Sequence, residues 1–212
     1  MTLVIGDVHG CSDELAKLVA IAQADRVVLV GDLFTKGPDP VGVWRQIKEG
    51  GFEAVLGNHD ARVLDAVADP ATLDRGAWKA VEKLQNDDPA AIPWLAALPL
   101  FLEAAPFTVV HAGLHPSGDL ARTTRQMAVA MRRWPDEGPT APHWHSVYTG
   151  ERRVIFGHDA LRGLVRVERN GQPWLIGLDT GCVYGRALSG YLVEADQVLT
   201  VSAAREYRPV RG

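Results

Sequence analysis

Five short apolar runs in this chain end alike, each with a glycine close to an aspartate, asparagine or histidine. Leu3, Val4 and Ile5 lead into Gly6-Asp7-Val8-His9-Gly10, and residues 26–30 lead into Gly31-Asp32. Residues 53–56 lead into Gly57-Asn58-His59-Asp60, residues 107–110 into His111-Ala112-Gly113, and residues 153–156 into Gly157-His158-Asp159. Runs this short, rich in Val and Ile and without polar alternation, read as strands buried on both faces. The adjoining glycines permit tight turns and close backbone approach.

Helical patterns separate the first three runs. One places Leu15, Leu18, Val19 and Ala22 on a single face, with Ser12 as its expected N-cap, and another spans about residues 40–48. Strand, loop and helix in repetition predict a largely parallel sheet with right-handed crossovers. Ligand sites in such sheets form where loops leave the carboxyl ends of strands, which is where the polar motifs sit. The C-terminal third changes character. Residues 164–168 and 174–178, joined through Asn170-Gly171, read as a β-hairpin, and residues 191–194 and 197–201 as another. They predict a second, more antiparallel sheet packed against the first half. Residues 69–93 and 116–150 read as helical or irregular insertions within a single domain spanning residues 1–212.

Composition narrows the setting. A formal net charge of −4 argues against general nucleic-acid binding, although arginines gather within residues 122–133 and 152–169. Cys11 and Cys182 form no Cys-x-x-Cys pair. Reduced thiols in a cytoplasmic protein are the simpler expectation, with one disulfide as the alternative. No basic and apolar leader is visible at the N-terminus, so no signal peptide is expected. The most apolar stretch, residues 90–110, carries Pro93, Pro99, Pro106 and Glu103 and does not suit a membrane helix.

The polar residues suit a pair of divalent ions. Asp7 and His9 share a loop and can reach one ion. Asp32, from the neighbouring strand end, is a natural bridging carboxylate. Asn58, His111 and His158 can complete a second ion. Each residue alone has a plainer explanation, a helix-capping turn or a hydrogen-bonded core histidine. The ordered series favours ligation. His115, His143 and His145 fall outside that series and read as insertion residues. Cys11 and Cys182 read as small packed residues. Trp78, Trp134 and Trp144 read first as packing residues, with base stacking as the alternative.

Taken in order, these motifs, with Gly31-Asp32-Leu33-Phe34-Thr35-Lys36-Gly37-Pro38, resemble the signature of the calcineurin-like metallophosphoesterases. The match is to the phosphoprotein-phosphatase-like branch, which includes the bacterial symmetrical diadenosine tetraphosphatases and the ApaH-like phosphatases. Residues 178–185, Leu-Asp-Thr-Gly-Cys-Val-Tyr-Gly, resemble that branch's C-terminal motif. The resemblance implies an α/β fold of two packed mixed β-sheets flanked by helices. It implies Asp7 and His9 on a first ion, Asp32 bridging, and Asn58, His111 and His158 on a second. Mn²⁺ is the first expectation for both, with Fe, Zn²⁺ or Co²⁺ also compatible. His59 is then the general acid and Tyr184 overlooks the metals. A hydroxide bridging the ions attacks phosphorus without a covalent phosphoenzyme.

The departures point to the substrate. Protein phosphatases of this branch have Asp-Arg-Gly where this chain has Thr35-Lys36-Gly37. Thr35 cannot act as an anionic partner for His59. Lys36 meets phosphate as a point charge and not as a bidentate fork. The expected partner is therefore a small phosphorylated molecule, a nucleoside polyphosphate such as diadenosine tetraphosphate cleaved symmetrically to ADP. A serine/threonine phosphoprotein substrate, a broad-specificity phosphomonoesterase and a non-catalytic scaffold are the alternatives. Asn58, Lys36 and Tyr184 are expected on phosphate, and Arg132 and Arg133 are candidates by position for a second phosphate-gripping arginine.

Overall fold

The computed structural model describes residues 1–69 and 75–209. The chain opens with β1 (Thr2–Ile5), α1 (Ser12–Ala22), β2 (Arg26–Leu29), α2 (Pro40–Gly50), β3 (Glu53–Ala54) and α3 (Asn58–Ala68). Next come α4 (Arg75–Asp87), α5 (Ala91–Ala96), β4 (Phe101–Ala104), β5 (Phe107–Val110) and α6 (Arg125–Ala130). It closes with β6 (Arg153–Phe156), β7 (Val165–Arg169), β8 (Gln172–Gly177), β9 (Ala187–Leu192) and β10 (Gln197–Ser202).

These strands form two five-stranded mixed sheets, in the orders β10-β9-β1-β2-β3 and β4-β5-β6-β8-β7. β1, β2 and β3 run parallel, with β3 at one edge of the first sheet, as do β5, β6 and β8, and antiparallel pairings with β10, β4 and β7 close the other three edges. Alternation along the parallel strands explains their uniformly apolar sequences. Val4 and Val28 face the other sheet and meet Val109, Ile155 and Ile176 there. Leu3, Ile5 and Leu29 face the helices and pack on Leu15, Leu18 and Ile47. The outer face of the second sheet, with Val110, Val154, Phe156 and Leu175, is covered by Leu114 and by Met131, Trp144 and Tyr148 of the second insertion. Both faces of both sheets thereby exclude water from apolar surface.

Several expectations shift. The two C-terminal hairpins do not share a sheet. β7 and β8 join the second, whereas β9 pairs antiparallel with β1, Val4 against Tyr191. One edge of β1 is taken by β2, and β9 satisfies the backbone groups of the other. Ser12 does not cap α1. Cys11 is at that position without a side-chain cap, and the Ser12 hydroxyl donates instead to Asp39 Oδ2 at 2.8 Å. The third strand is shorter than residues 53–56, although Val55 N still donates to Leu29 O at 3.1 Å. β4 is an added strand within the apolar stretch 90–110. The first insertion holds α4 and α5, and its residues 70–74 lie outside the described residues. No helix among the described residues is long and apolar enough to cross a membrane.

Candidate active site

The carboxyl ends of β1, β2, β5 and β6 come together at one edge of the two packed sheets. Cross-sheet hydrogen bonds join them. His158 N donates to Asp7 Oδ1 at 3.0 Å, and His111 Nδ1 donates to Val30 O at 2.8 Å. Glycine is required where the loops touch. A Cβ on Gly157 would overlap Asp7 Oδ1, and one on Gly57 would overlap Asp32 N and Oδ1. Four candidate site residues, His9, Asp32, Lys36 and His158, adopt left-handed backbone conformations with φ of 48°, 55°, 69° and 73°. Non-glycine residues reach that region at a steric cost, which concentrates at functional sites.

Asp60 braces these loops from below. Its buried carboxylate accepts Asp32 N at 2.7 Å, Leu33 N at 2.9 Å and Gly57 N at 3.1 Å. Asp32 Oδ1 accepts His59 N at 2.8 Å. Asp60 thus fixes the β2 loop directly, and Asp32 ties that loop to the start of α3.

The side chains converge as acceptors. One ligand atom from each of Asp7, His9 and Asp32 lies within 4.8 Å of the other two. Asp7 Oδ2 is buried and unpartnered. A few ångströms away, Asn58 Oδ1 is 3.1 Å from His111 Nε2 and 3.0 Å from His158 Nδ1. Asp32 Oδ1 is 3.4 Å from His111 Nε2. A backbone carbonyl can only accept, so His111 carries its proton on Nδ1 toward Val30 O, and His158 on Nε2 toward Ala130 O at 3.0 Å. The opposite nitrogens present lone pairs to Asn58 and Asp32. Clustered lone pairs with no proton between them suit cations.

The electrostatics agree. Burial, reinforced by Asp179 and Asp32, lifts the Asp7 carboxyl well above its ordinary value. Burial also pushes Asp32 and Asp179 up to about 6 and Asp60 up to about 7. It brings His111 down to about 4 and holds His9 and His158 well below the usual imidazole range. The imidazoles are therefore neutral, the form that ligates metals, and the carboxylates lack compensating charge. His59 is brought down to about 2, first by burial and then by Lys36 and Arg62.

A cleft of about 800 Å³ opens over this cluster. Lys36 reaches into it, with Nζ 3.1 Å from His9 Nε2 and 5.4 Å from the Tyr184 ring centre. Arg132 lines it and donates from Nη2 to His158 O at 3.2 Å. Arg133 does not line it and donates instead to Ala141 O. None of Trp78, Trp134 and Trp144 borders the cleft. Trp144 is buried against Tyr148 and Phe156, so it is closed to a base. His145 is likewise buried, stacked on Phe156, and His115 meets the Trp134 ring. Cleft residues not singled out from sequence are Asp179, Arg62, Arg75 and Arg208. Arg62 lies three residues after His59 on α3, a helical spacing that places the two side by side.

The chain belongs to the calcineurin-like phosphoesterases, whose family pattern matches residues 1–198. It is a metal-dependent phosphoesterase, and the family implies divalent ions, for which Asp7, His9 and Asp32 form a candidate ligand group. It is 26% identical to the asymmetrical bis(5'-nucleosyl)-tetraphosphatase PrpE of Bacillus subtilis strain 168, over 96% of this chain and 95% of that protein. It is 28% identical to the symmetrical bis(5'-nucleosyl)-tetraphosphatase of Vibrio parahaemolyticus, over 95% of this chain and 98% of that protein. Among solved structures it resembles that of a candidate diadenosine tetraphosphatase. The TM-score is 0.80 at 32% identity, covering 95% of this chain and 93% of the other.

Proposed function

We propose that the protein hydrolyses nucleoside polyphosphates, with diadenosine tetraphosphate as the type substrate, at a centre holding two divalent ions. Asp7, His9 and Asp32 are assigned to one ion, and Asp32, Asn58, His111 and His158 to the other. When bound, the ions supply a nucleophile from water at neutral pH and neutralise charge on the phosphoryl oxygens. Mn²⁺ suits this nitrogen and oxygen set, as do Fe, Zn²⁺ and Co²⁺.

The observation that carries the substrate assignment is the cationic cleft wall, formed by Lys36, Arg62, Arg75, Arg132 and Arg208. Five cations exceed what one phosphoryl group needs and match a chain of several phosphates. Tyr184, Pro209 and Leu161 supply apolar surface in the same cleft, and Leu161 leaves 71% of its surface exposed. A nucleoside can cover that surface.

His59 is assigned as the general acid for the leaving oxygen. Among the described residues no carboxylate pairs with its ring, and the Thr35 hydroxyl is buried without a partner. Burial first, and then Lys36 and Arg62, oppose its protonation in the free protein. A bound polyphosphate offsets those cations and raises the imidazole toward the range where it can give up a proton. Lys36 and Arg132 hold the phosphates in place meanwhile.

The test is a substrate panel with Mn²⁺ that includes an aryl phosphate, phosphopeptides, and mono- and dinucleoside polyphosphates. Diadenosine tetraphosphate is expected to be the faster substrate. Two ADP would mark symmetrical cleavage, and ATP with AMP asymmetrical cleavage. Faster turnover of phosphopeptides than of any nucleotide would transfer the assignment to a protein phosphatase.

A further inference from the structure

Cys11, Glu14 and Cys182 meet outside the ligand set described above. One ligand atom from each, two sulfurs and a carboxylate oxygen, lies within 4.8 Å of the others. All three residues are buried, with exposures of 0%, 0% and 2%, and both cysteines are free thiols. Cys11 and Glu14 sit at the start of α1, and Cys182 lies in the loop that follows β8.

Glu14 makes the cluster unusual. Its Oε1 accepts Ala204 N and the Tyr207 hydroxyl, both at 2.8 Å. Its Oε2 is buried and accepts nothing, not even a thiol S–H. No lysine, arginine or histidine among the described residues forms an ion pair with it. A fully buried carboxylate with neutral donors on one oxygen and none on the other is costly unless a cation reaches it. Two adjacent sulfurs decide which cation fits. Thiolates favour soft or borderline ions, and Zn²⁺ accepts both cysteine sulfur and carboxylate oxygen as ligands.

We propose that Cys11, Glu14 and Cys182 form a buried structural metal site of the zinc class, separate from the phosphoesterase centre. Two thiol protons leave as one dication enters, two sulfur–metal bonds and one oxygen–metal bond form, and the local charge is unchanged. The free Glu14 oxygen gains its partner. The ion ties three segments together: the β1–α1 loop carrying Asp7 and His9, the loop after β8 carrying Asp179, and the C-terminal segment held through Ala204 and Tyr207. The site is closed to solvent, so it braces these loops and does not meet substrate.

The experiment uses Co²⁺ as a spectroscopic probe, in full-length protein produced under reducing conditions in zinc-depleted medium containing Co²⁺. A thiolate-to-cobalt charge-transfer band is expected in the near ultraviolet. It should persist in His158→Ala and vanish in Cys182→Ala, with circular dichroism reporting that the variant is folded. Zinc-grown protein dialysed against a mild chelator should retain about one metal ion per chain. If Cys182→Ala does not fold, the wild-type spectrum and metal content decide alone. No thiolate band and no retained metal in the wild type would overturn the site. So would a band that survives in folded Cys182→Ala, or a disulfide found on denaturing without reductant. None of these readouts depends on phosphoesterase activity.

Discussion

His158 turns Nδ1 toward Asn58 Oδ1 at 3.0 Å while its Nε2 donates to the Ala130 carbonyl, also at 3.0 Å. The carbonyl fixes the tautomer, and the tautomer leaves a lone pair facing another acceptor. A cation between the two resolves that arrangement.

His158→Ala removes that ligand and leaves Asn58 and His111 to hold the ion with Asp32. Turnover is expected to fall by about 100-fold or more, and the Mn²⁺ needed for half-maximal rate to rise. A Mn²⁺ titration of activity checks both. Unchanged turnover and metal demand would remove His158 from the ligand set.

Gly157→Ala acts on the same centre through sterics. The added Cβ overlaps Asp7 Oδ1, so the Asp7 carboxylate must move or the β6 loop must shift. The expected outcome is a folded protein with weakened Mn²⁺ binding, measured by calorimetry. Wild-type affinity would mean that the loops yield without disturbing the ligand.

Asp60→Asn tests the brace. The aspartate accepts three backbone N–H groups from two loops, and an amide keeps only one accepting oxygen. Stability is expected to fall by about 1–3 kcal/mol, read from urea unfolding of Mn²⁺-loaded protein. No loss would show that water replaces the missing acceptor.

The convergence of Asp7, His9, Asp32, Asn58, His111 and His158, the proposed ligands, was legible from sequence because each lies at the end of an apolar run with a glycine nearby, and such runs read as strands whose carboxyl ends share an edge. The sharing of strands between sheets was not legible. β7–β8 and β9–β10 are both hairpins with alternating patterns, and only the free edge of β1 distinguishes their destinations. Only part of the cationic wall was legible: Lys36 and Arg132 were expected at phosphate, whereas Arg62, Arg75 and Arg208 come from separate elements and have no shared spacing. Trp144 illustrates the remaining ambiguity, since a large aromatic in an insertion can serve a ligand or a sheet face. Here the exposed apolar face of the second sheet claims it.

Acidity and metal should be linked in stability. Asp32 and Asp179 are raised to about 6 and Asp60 to about 7, with Asp7 also raised, all chiefly by burial. The folded metal-free protein therefore binds protons more tightly than the unfolded chain. That stabilisation is complete below the ordinary carboxylate range and is lost as pH rises through about 6 to 7. Divalent ions take over the protons' role, so the gain in Tm from Mn²⁺ should widen between pH of about 5.5 and about 8. Thermal unfolding with Mn²⁺ or with chelator checks it, and a gap that narrows with rising pH would contradict it.

Arg62→Ala should separate phosphate-chain recognition from chemistry. Arg62 lines the cleft three residues after His59 on α3. KM for diadenosine tetraphosphate is expected to rise by about tenfold, the loss of one charge-assisted contact. Turnover of an aryl phosphate should change little. Equal losses on both substrates would place Arg62 in the chemistry.

Two-ion hydrolysis of a nucleoside polyphosphate requires both the metal and His59. The most direct measurement follows nucleotide products from diadenosine tetraphosphate as Mn²⁺ is added to chelator-treated protein, with His59→Ala alongside. No turnover is expected without Mn²⁺, stoichiometric nucleotide products with it, and a rate reduced by about 100-fold or more in His59→Ala. Intact diadenosine tetraphosphate at saturating Mn²⁺, in protein that still cleaves an aryl phosphate, would contradict it.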